Sequence, residues 1–192
     1  MRIGLFGGSF NPPHVCHALV TIWTLQTQPV DEIWWIPTYK HAFSKELVGY
    51  DDRRRMCEVA IRDMRRVEIC DVERDLGGES RTIDTVRELE ARRPEADFSL
   101  IVGSDILDET DQWKEWDELV DRVDLVVVRR AGYEGEVGGA MASLELPDVS
   151  SSRIRHELAS GEREWLQDWV PAAVLDYIAD HDLYGANGPD AR

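Results

Sequence analysis

Two histidines three residues apart, His14 and His17, follow a pair of glycines near the start of the chain. The segment reads Arg2-Ile3-Gly4-Leu5-Phe6-Gly7-Gly8-Ser9-Phe10-Asn11-Pro12-Pro13-His14-Val15-Cys16-His17. An apolar, strand-like run ends at Gly7 and Gly8. A turn with two prolines follows, and then an apolar-periodic helix from Ala18 to Thr27. Glycines let backbone N–H groups approach an anion closely, and a helix N-terminus adds partial positive charge. On a helix, residues at i and i+3 share a face, so both imidazoles can address the same anion. The chemistry that fits is phosphate binding. The competing reading is zinc, because His14-x-x-His17 encloses Cys16. A zinc site needs three or four ligands. His41, His156, His181, Cys57 and Cys70 are scattered along the chain, so no dedicated metal ligands are expected.

A second polar cluster lies far away, at Val149-Ser150-Ser151-Ser152-Arg153-Ile154-Arg155. Alone it reads as an N-capped helix with a solvated arginine. Paired with the first cluster it reads as a second phosphate clamp, in which hydroxyls and Arg155 meet further phosphate oxygens.

Together these two segments resemble the paired motifs of the HxGH-type nucleotidyltransferases, which move a nucleotidyl group onto a phosphate. The first resembles their GxFxPxHxGH signature and the second their ISSTxIR motif. Intervening segments resemble one branch, the nicotinate-nucleotide adenylyltransferases. They are Pro37 to Lys45, Arg53-Arg54-Arg55-Met56, Arg81 to Leu89, Gly103-Ser104-Asp105 and Trp113. The resemblance implies adenylyl transfer from ATP to nicotinate mononucleotide, giving nicotinate adenine dinucleotide and pyrophosphate in NAD biosynthesis. It implies Mg²⁺ as the companion of ATP. It assigns catalysis to His14, His17 and Arg155. ATP would meet Gly8, Ser9, Phe10, Cys16, Gly103, Asp105, Arg130, Ser150, Ser151 and Ser152. The pyridine nucleotide would meet Lys45, Thr82, Asp84 and Trp113, with Trp113 stacking on the ring.

The chain departs from the motifs at three places. Cys16 stands where the signature has glycine. Arg81 stands where tyrosine is usual, and either favours a pyridine carboxylate or faces solvent. The segment Pro37-Thr38-Tyr39-Lys40-His41-Ala42-Phe43-Ser44-Lys45 is one residue longer than the motif it resembles and lacks its double proline, which leaves Lys40 and Lys45 as rivals for a phosphate. Trp116 is the neighbour that competes with Trp113. Thr82 and Asp105 each have a second reading as helix caps, and Arg130 as a surface residue. Two other functions stay open: a sister transferase using nicotinamide mononucleotide or phosphopantetheine, and a nucleotide-binding module without catalysis.

These residues need a frame. Strand candidates are Ile3–Phe6, Glu32–Ile36, Val67–Cys70, Ser99–Val102 and Leu125–Val128, with a short sixth at Ser143–Leu146. Helical patterns cover His14–Thr27, Asp51–Arg66, Thr82–Arg93 and a broken stretch Ile106–Asp121. Further helices start at Ser150 or Ser151, stopping at Gly161, and at Pro171, running to Asp180. Strands alternating with helices predict βαβ units and parallel pairing. The expected fold is α/β: a Rossmann-like, doubly wound parallel sheet of five or six strands with helices on both faces. A single domain over residues 1–185 and a frayed tail over 186–192 are expected. Gly132 to Gly139 reads as a loop.

Composition is ordinary for a globular protein, with 43% hydrophobic and 31% charged residues among 192. The net charge of −16 argues against a nucleic-acid surface. No apolar run is long enough to span a membrane. Met1 leads directly into a strand, which leaves no room for a signal peptide. Three widely spaced cysteines suggest reduced thiols and a cytoplasmic setting. The substrates are expected to be small molecules, and an oligomer is compatible with the sequence.

Overall fold

In the computed structural model, residues 1–40, 47–129, 144, 146–161 and 163–186 are described. Strands β1 (Arg2–Gly8), β2 (Glu32–Pro37), β3 (Val67–Ile69), β4 (Asp97–Gly103) and β5 (Asp124–Val128) form one sheet in the order β3-β2-β1-β4-β5. Every pairing is parallel, with Leu5 opposite Trp34 on one side and Leu100 on the other. A parallel sheet with this order reverses direction between β1 and β4. The carboxyl ends of all strands lie along one edge, and a crevice opens at the reversal.

The alternation along each strand explains why both faces are covered. Ile3, Leu5, Trp34, Ile36, Leu100, Val102 and Val127 point to one face. There they meet helices α3 (Val72–Leu76), α4 (Thr82–Arg92) and α5 (Trp116–Arg122) through Val72, Val86, Leu89 and Leu119. Ile33, Trp35, Ile101, Val126 and Val128 point to the other face. They pack under α1 (Val15–Thr27) and α2 (Tyr50–Ile61) through Val20, Cys57 and Ile61. A third cluster joins Met56 of α2 to α6 (Ser151–Ser160), α7 (Arg163–Trp169) and α8 (Ala172–Asp180) through Ile154, Leu158, Leu166, Val174 and Ile178.

The differences from expectation are local. Leu144 and Leu146 are irregular and pack on the second cluster, so the described residues hold five strands. The helix expected to reach Arg66 ends at Ile61, and Arg66 takes a positive φ of 64°. The broken stretch after Gly103 resolves into two 3₁₀ turns, Ser104–Asp108 and Thr110–Gln112, before α5. Helices α3 and α7 were not read from the sequence; α3 is only five residues long, too short for a periodic signal. Pro171 caps α8 instead of entering it. Ala186 is buried in the third cluster, while residues 187–192 and the Gly132–Gly139 segment lie outside the described residues.

Candidate active site

The first turn of α1 differs from the helical pair expected. His14 is the N-cap, with an extended backbone (φ −148°, ψ 177°). The two imidazoles still meet, with ring centroids 4.1 Å apart. A capping box brings them together, not a shared helical face. The His14 backbone N–H donates to His17 Nδ1 at 3.0 Å. That bond requires an unprotonated Nδ1, so a neutral His17 carries its proton on Nε2 as a donor. His17 is further fixed from below. Trp35 Nε1–H donates to Thr21 Oγ1 at 2.8 Å, and that hydroxyl donates to the His17 carbonyl at 2.8 Å.

The loop between β1 and α1 is held in a strained shape. Phe10 has φ 45°, a conformation that costs a bulky residue about 1–3 kcal/mol. Its ring is 1% exposed and stacks on Trp35 at 4.7 Å, tilted by 8°. Such a stack returns only ~0.5–1.5 kcal/mol beyond area burial, so the stack alone does not fix the turn. A Cβ on Gly8 would stand 3.3 Å from that ring, which accounts for the second glycine. A Cβ on Gly7 would meet nothing within 4 Å, so its missing side chain faces open space.

The remaining support comes from residues to which the sequence assigned no role. Arg53, 1% exposed, donates from Nη1 to the Ser9 carbonyl at 2.9 Å. Its Nη2 reaches the Thr38 carbonyl at 2.7 Å and its Nε the Val48 carbonyl at 3.0 Å. Bonds from a charged donor contribute about 1.5–3 kcal/mol each, enough to hold the loop against its strain. Burial lowers the Arg53 pKa from its ordinary value. Asn11 is a second hub. Its Oδ1 accepts from the Tyr184 hydroxyl at 2.7 Å and from the Val48 N–H at 3.4 Å. No local pattern announces Tyr184, which lies at the opposite end of the sequence.

The second motif docks on this loop. Ser151 Oγ donates to the Pro12 carbonyl at 2.9 Å, and Arg155 Nη1 donates to the Asn11 carbonyl at 2.9 Å. Ser150 caps α6 by accepting from the Arg153 N–H at 3.3 Å, and Ser152 Oγ accepts from Arg155 Nη2 at 3.3 Å. Cap and clamp, offered as alternatives by the sequence, are thus compatible in one element. Arg155 is partly engaged in bracing the loop. Cys16 is 7% exposed, and its thiol donates to the Pro147 carbonyl at 3.6 Å. The residue standing for glycine thus packs against the segment that leads into α6.

The other half of the crevice lies beyond β3 and β4. Gly103 ends β4 and precedes the 3₁₀ turn that contains Asp105, whose side chain is not among those described. Thr82 is the first residue of α4, and the cap is Arg81, so the reading of Thr82 as N-cap is corrected. Arg81 pairs with Glu79 at 2.8 Å. Asp84 accepts from Lys114 Nζ on both oxygens at 2.9 Å and lies 3.5 Å from Arg87. Trp113 packs half-buried against the first core cluster and meets Trp116 edge-on at 5.7 Å. A cavity of about 220 Å³ is lined by Arg81, Asp84, Ser80 and Glu73 among others. Burial raises the Glu73 carboxyl above its ordinary range. Glu73 accepts from the Tyr39 N–H at 3.0 Å. Lys40 lays its Nζ over the Tyr39 ring at 5.6 Å, while Lys45 and Arg130 lie outside the described residues.

Among the described residues, no three histidine, cysteine, aspartate or glutamate side chains converge on a metal position. The donors around the loop are N–H groups, hydroxyls and a guanidinium. These suit phosphate oxygens and repel a bare cation. A divalent ion fits here as the companion of a triphosphate, held by phosphate oxygens and water. No helix among the described residues is long and apolar enough to cross a membrane.

Comparison with known proteins agrees with this layout. The cytidylyltransferase-like family model matches residues 5–157. A protein of Anaeromyxobacter dehalogenans named probable nicotinate-nucleotide adenylyltransferase is 41% identical over 186 residues, covering 95% of this chain and 96% of its own. One of the same name from Myxococcus xanthus is 36% identical, covering 96% and 95%. In fold, the chain is similar to Plasmodium falciparum nicotinic acid mononucleotide adenylyltransferase complexed with NaAD. The TM-score is 0.84 at 21% identity, covering 97% of this chain and 98% of that one. The chain belongs to the cytidylyltransferase-like family and, through its full-length relatives, to the nicotinate-nucleotide adenylyltransferases within it.

Proposed function

We propose that the protein transfers the adenylyl group of ATP to nicotinate mononucleotide, forming nicotinate adenine dinucleotide and releasing pyrophosphate. The observation that carries the reading is the convergence of the two distant motifs. Ser151 and Arg155 hydrogen-bond the backbone of the loop that ends in His14 and His17. Both helix N-termini and the imidazoles are thereby gathered at the carboxyl end of β1.

The step is an in-line displacement. A phosphate oxygen of the mononucleotide attacks the α-phosphorus of ATP as the bond to the bridging oxygen breaks. Positioning and charge neutralisation dominate such chemistry. His17 Nε2–H donates to an α-phosphate oxygen. His14, at the cap, orients the triphosphate. Backbone N–H groups of Ser9 and Phe10 share the charge beside the open side of Gly7. Ser150, Ser151, Ser152, Arg155 and Arg130 meet the β- and γ-phosphates. Cys16, Gly103 and Asp105 border the adenosine. Lys45, Thr82, Asp84 and Trp113 form the pyridine nucleotide side, with the Trp113 indole against the ring. Mg²⁺ on ATP supplies further neutralisation of the leaving pyrophosphate.

The substrates are small molecules, and the net charge of −16 supports no nucleic-acid role. Three free cysteines support a cytoplasmic setting. Pyrophosphate release with ATP and Mg²⁺ is measured with each acceptor in turn. Nicotinate mononucleotide is expected to give a higher kcat/KM than the amide analogue. Donors placed for a carboxylate are poorly matched by an amide. Equal or better use of the amide overturns the substrate assignment.

A further inference from the structure

We propose that Arg53 is a positioning residue for adenylyl transfer: its buried guanidinium sets the Ser9–Phe10 peptide so that the Phe10 N–H faces the triphosphate. The inference rests on the function proposed above.

The geometry comes from one peptide plane. Only the Asn11–Pro12 bond is cis among the described residues, so the Ser9–Phe10 peptide is trans. In a trans peptide the carbonyl and the following N–H point in opposite directions. Arg53 Nη1 holds the Ser9 carbonyl inward at 2.9 Å. The Phe10 N–H is therefore turned away from Arg53, to the opposite side of the peptide from the guanidinium. The next residue along, Phe10, takes the positive φ of 45° that keeps the loop in this shape. Strain of this kind persists where surrounding groups over-determine it.

The same guanidinium reaches two further carbonyls, Thr38 at 2.7 Å and Val48 at 3.0 Å. These two residues bracket a stretch of sequence that includes Lys40 and Lys45. One rigid, planar group thus ties the Ser9 carbonyl to those of Thr38 and Val48. A lysine has three donors on a single nitrogen and cannot span those positions. The three hydrogen-bond partners of the Arg53 guanidinium are all neutral carbonyls, with the Glu73 carboxyl the nearby acidic group that acts on its charge. The Arg53-Arg54-Arg55 run hides this role in the sequence. Arg54 instead pairs with Asp71 at 2.7 Å, and Arg55 pairs with Glu58 at 2.8 Å on the surface.

The test compares pyrophosphate release by wild type, Arg53→Ala and Arg53→Lys, with and without guanidinium chloride kept well below unfolding concentrations. Sodium chloride serves as the control. In Arg53→Ala, kcat falls by roughly 10²-fold, the usual loss when a transition-state donor is misplaced, and KM for ATP moves far less. Guanidinium restores at least part of kcat and sodium chloride does not, while Arg53→Lys stays as impaired as Arg53→Ala. A folded Arg53→Ala protein with near-native kcat overturns the proposal. So does a fully active Arg53→Lys, or a loss that guanidinium leaves untouched. Should the variants fail to fold, the wild-type Phe10 amide is followed by NMR during titration with inorganic triphosphate. A large, saturable shift supports the proposal, and an unmoved Phe10 resonance overturns it. Absence of turnover by wild type with every acceptor would sink the functional reading, whereas the triphosphate titration judges the Phe10 donor without any turnover.

Discussion

The two halves of the crevice are held by different forces. The nucleotide half is braced from inside. Arg53, Asn11, Tyr184, Ser151 and Arg155 bond backbone carbonyls or buried side chains of the loop from Ser9 to Pro12. The pyridine half is held from outside by ion pairs across α4 and the turn before α5. Lys114 bridges to Asp84, Arg87 to Glu115 and Glu118, and Arg122 to Glu90. Buried charge-assisted bonds are insensitive to salt and costly to break. Exposed ion pairs contribute about 0–1 kcal/mol and weaken with ionic strength. The difference fits their tasks. Under the function proposed above, a fixed cradle would serve the chemical step, and an adjustable wall would serve recognition of the acceptor.

The largest effect should come from the braced half. His17→Ala removes a donor whose tautomer the His14 N–H has fixed. We expect kcat to fall by roughly 10²-fold or more, with a smaller change in KM for ATP. Steady-state pyrophosphate release, with circular dichroism to confirm folding, checks it. Near-native kcat in a folded variant would remove His17 from the mechanism.

Next in size is the wall of the adjustable half. Trp113→Ala should raise KM for nicotinate mononucleotide up to about tenfold, the scale of one lost aromatic stack. Binding of ATP, followed by calorimetry, should barely change. Trp113→Phe should recover part of the loss. Trp116 contacts the same core cluster and meets Trp113 edge-on. If Trp116→Ala reproduces the pattern and Trp113→Ala does not, the stacking surface is the other indole.

The same contrast explains what the sequence made legible. Strands covered on both faces are short, continuous apolar runs between helical patterns, so all five were legible in the sequence. The histidines and the serine cluster were legible because short motifs carry their own local geometry. Arg53 and Tyr184 were not, since their partners are backbone carbonyls and a side chain brought near only by the fold. Nor does spacing reveal that Lys114 grips Asp84 across 30 positions. The histidine pair shows a subtler limit. The two rings lie together, with centroids 4.1 Å apart, but through a capping box and not through the shared helical face that was expected.

A smaller effect should separate the halves by salt. Lys114→Met removes the bidentate grip on Asp84 but leaves the nucleotide loop untouched. We expect KM for nicotinate mononucleotide to rise by about two- to fivefold, the equivalent of roughly 0.4–1 kcal/mol for an exposed pair. Raising potassium chloride should narrow the gap between variant and wild type, because salt screens the pair only where it exists. A gap that is constant from low to high salt would show that Lys114 acts through packing.

The subtlest expected effect concerns Glu73, which links the wall to Tyr39 by accepting from its backbone N–H. Burial raises its carboxyl above the ordinary value of 4.5 in the folded protein, against the pull of bonds from Ser80, Tyr39 and Thr85 and of the Arg53 charge. The native state therefore holds this proton more tightly than the unfolded chain does. Between the unfolded and folded pKa values the native state binds more protons, so this group's stabilising contribution declines as pH rises through that window. Above the window the loss is complete and constant. Glu73→Gln keeps an acceptor for Tyr39 and cannot ionise. Its Tm relative to wild type should therefore climb as pH rises from about 4.5, then level off. Thermal melts of both proteins across the acid-to-neutral range measure this directly. A Tm difference that stays flat, or that turns against Glu73→Gln with rising pH, would show that the Glu73 charge is stabilised in place. The adjustable half would then contain a buried anion held as firmly as Arg53 is in the other.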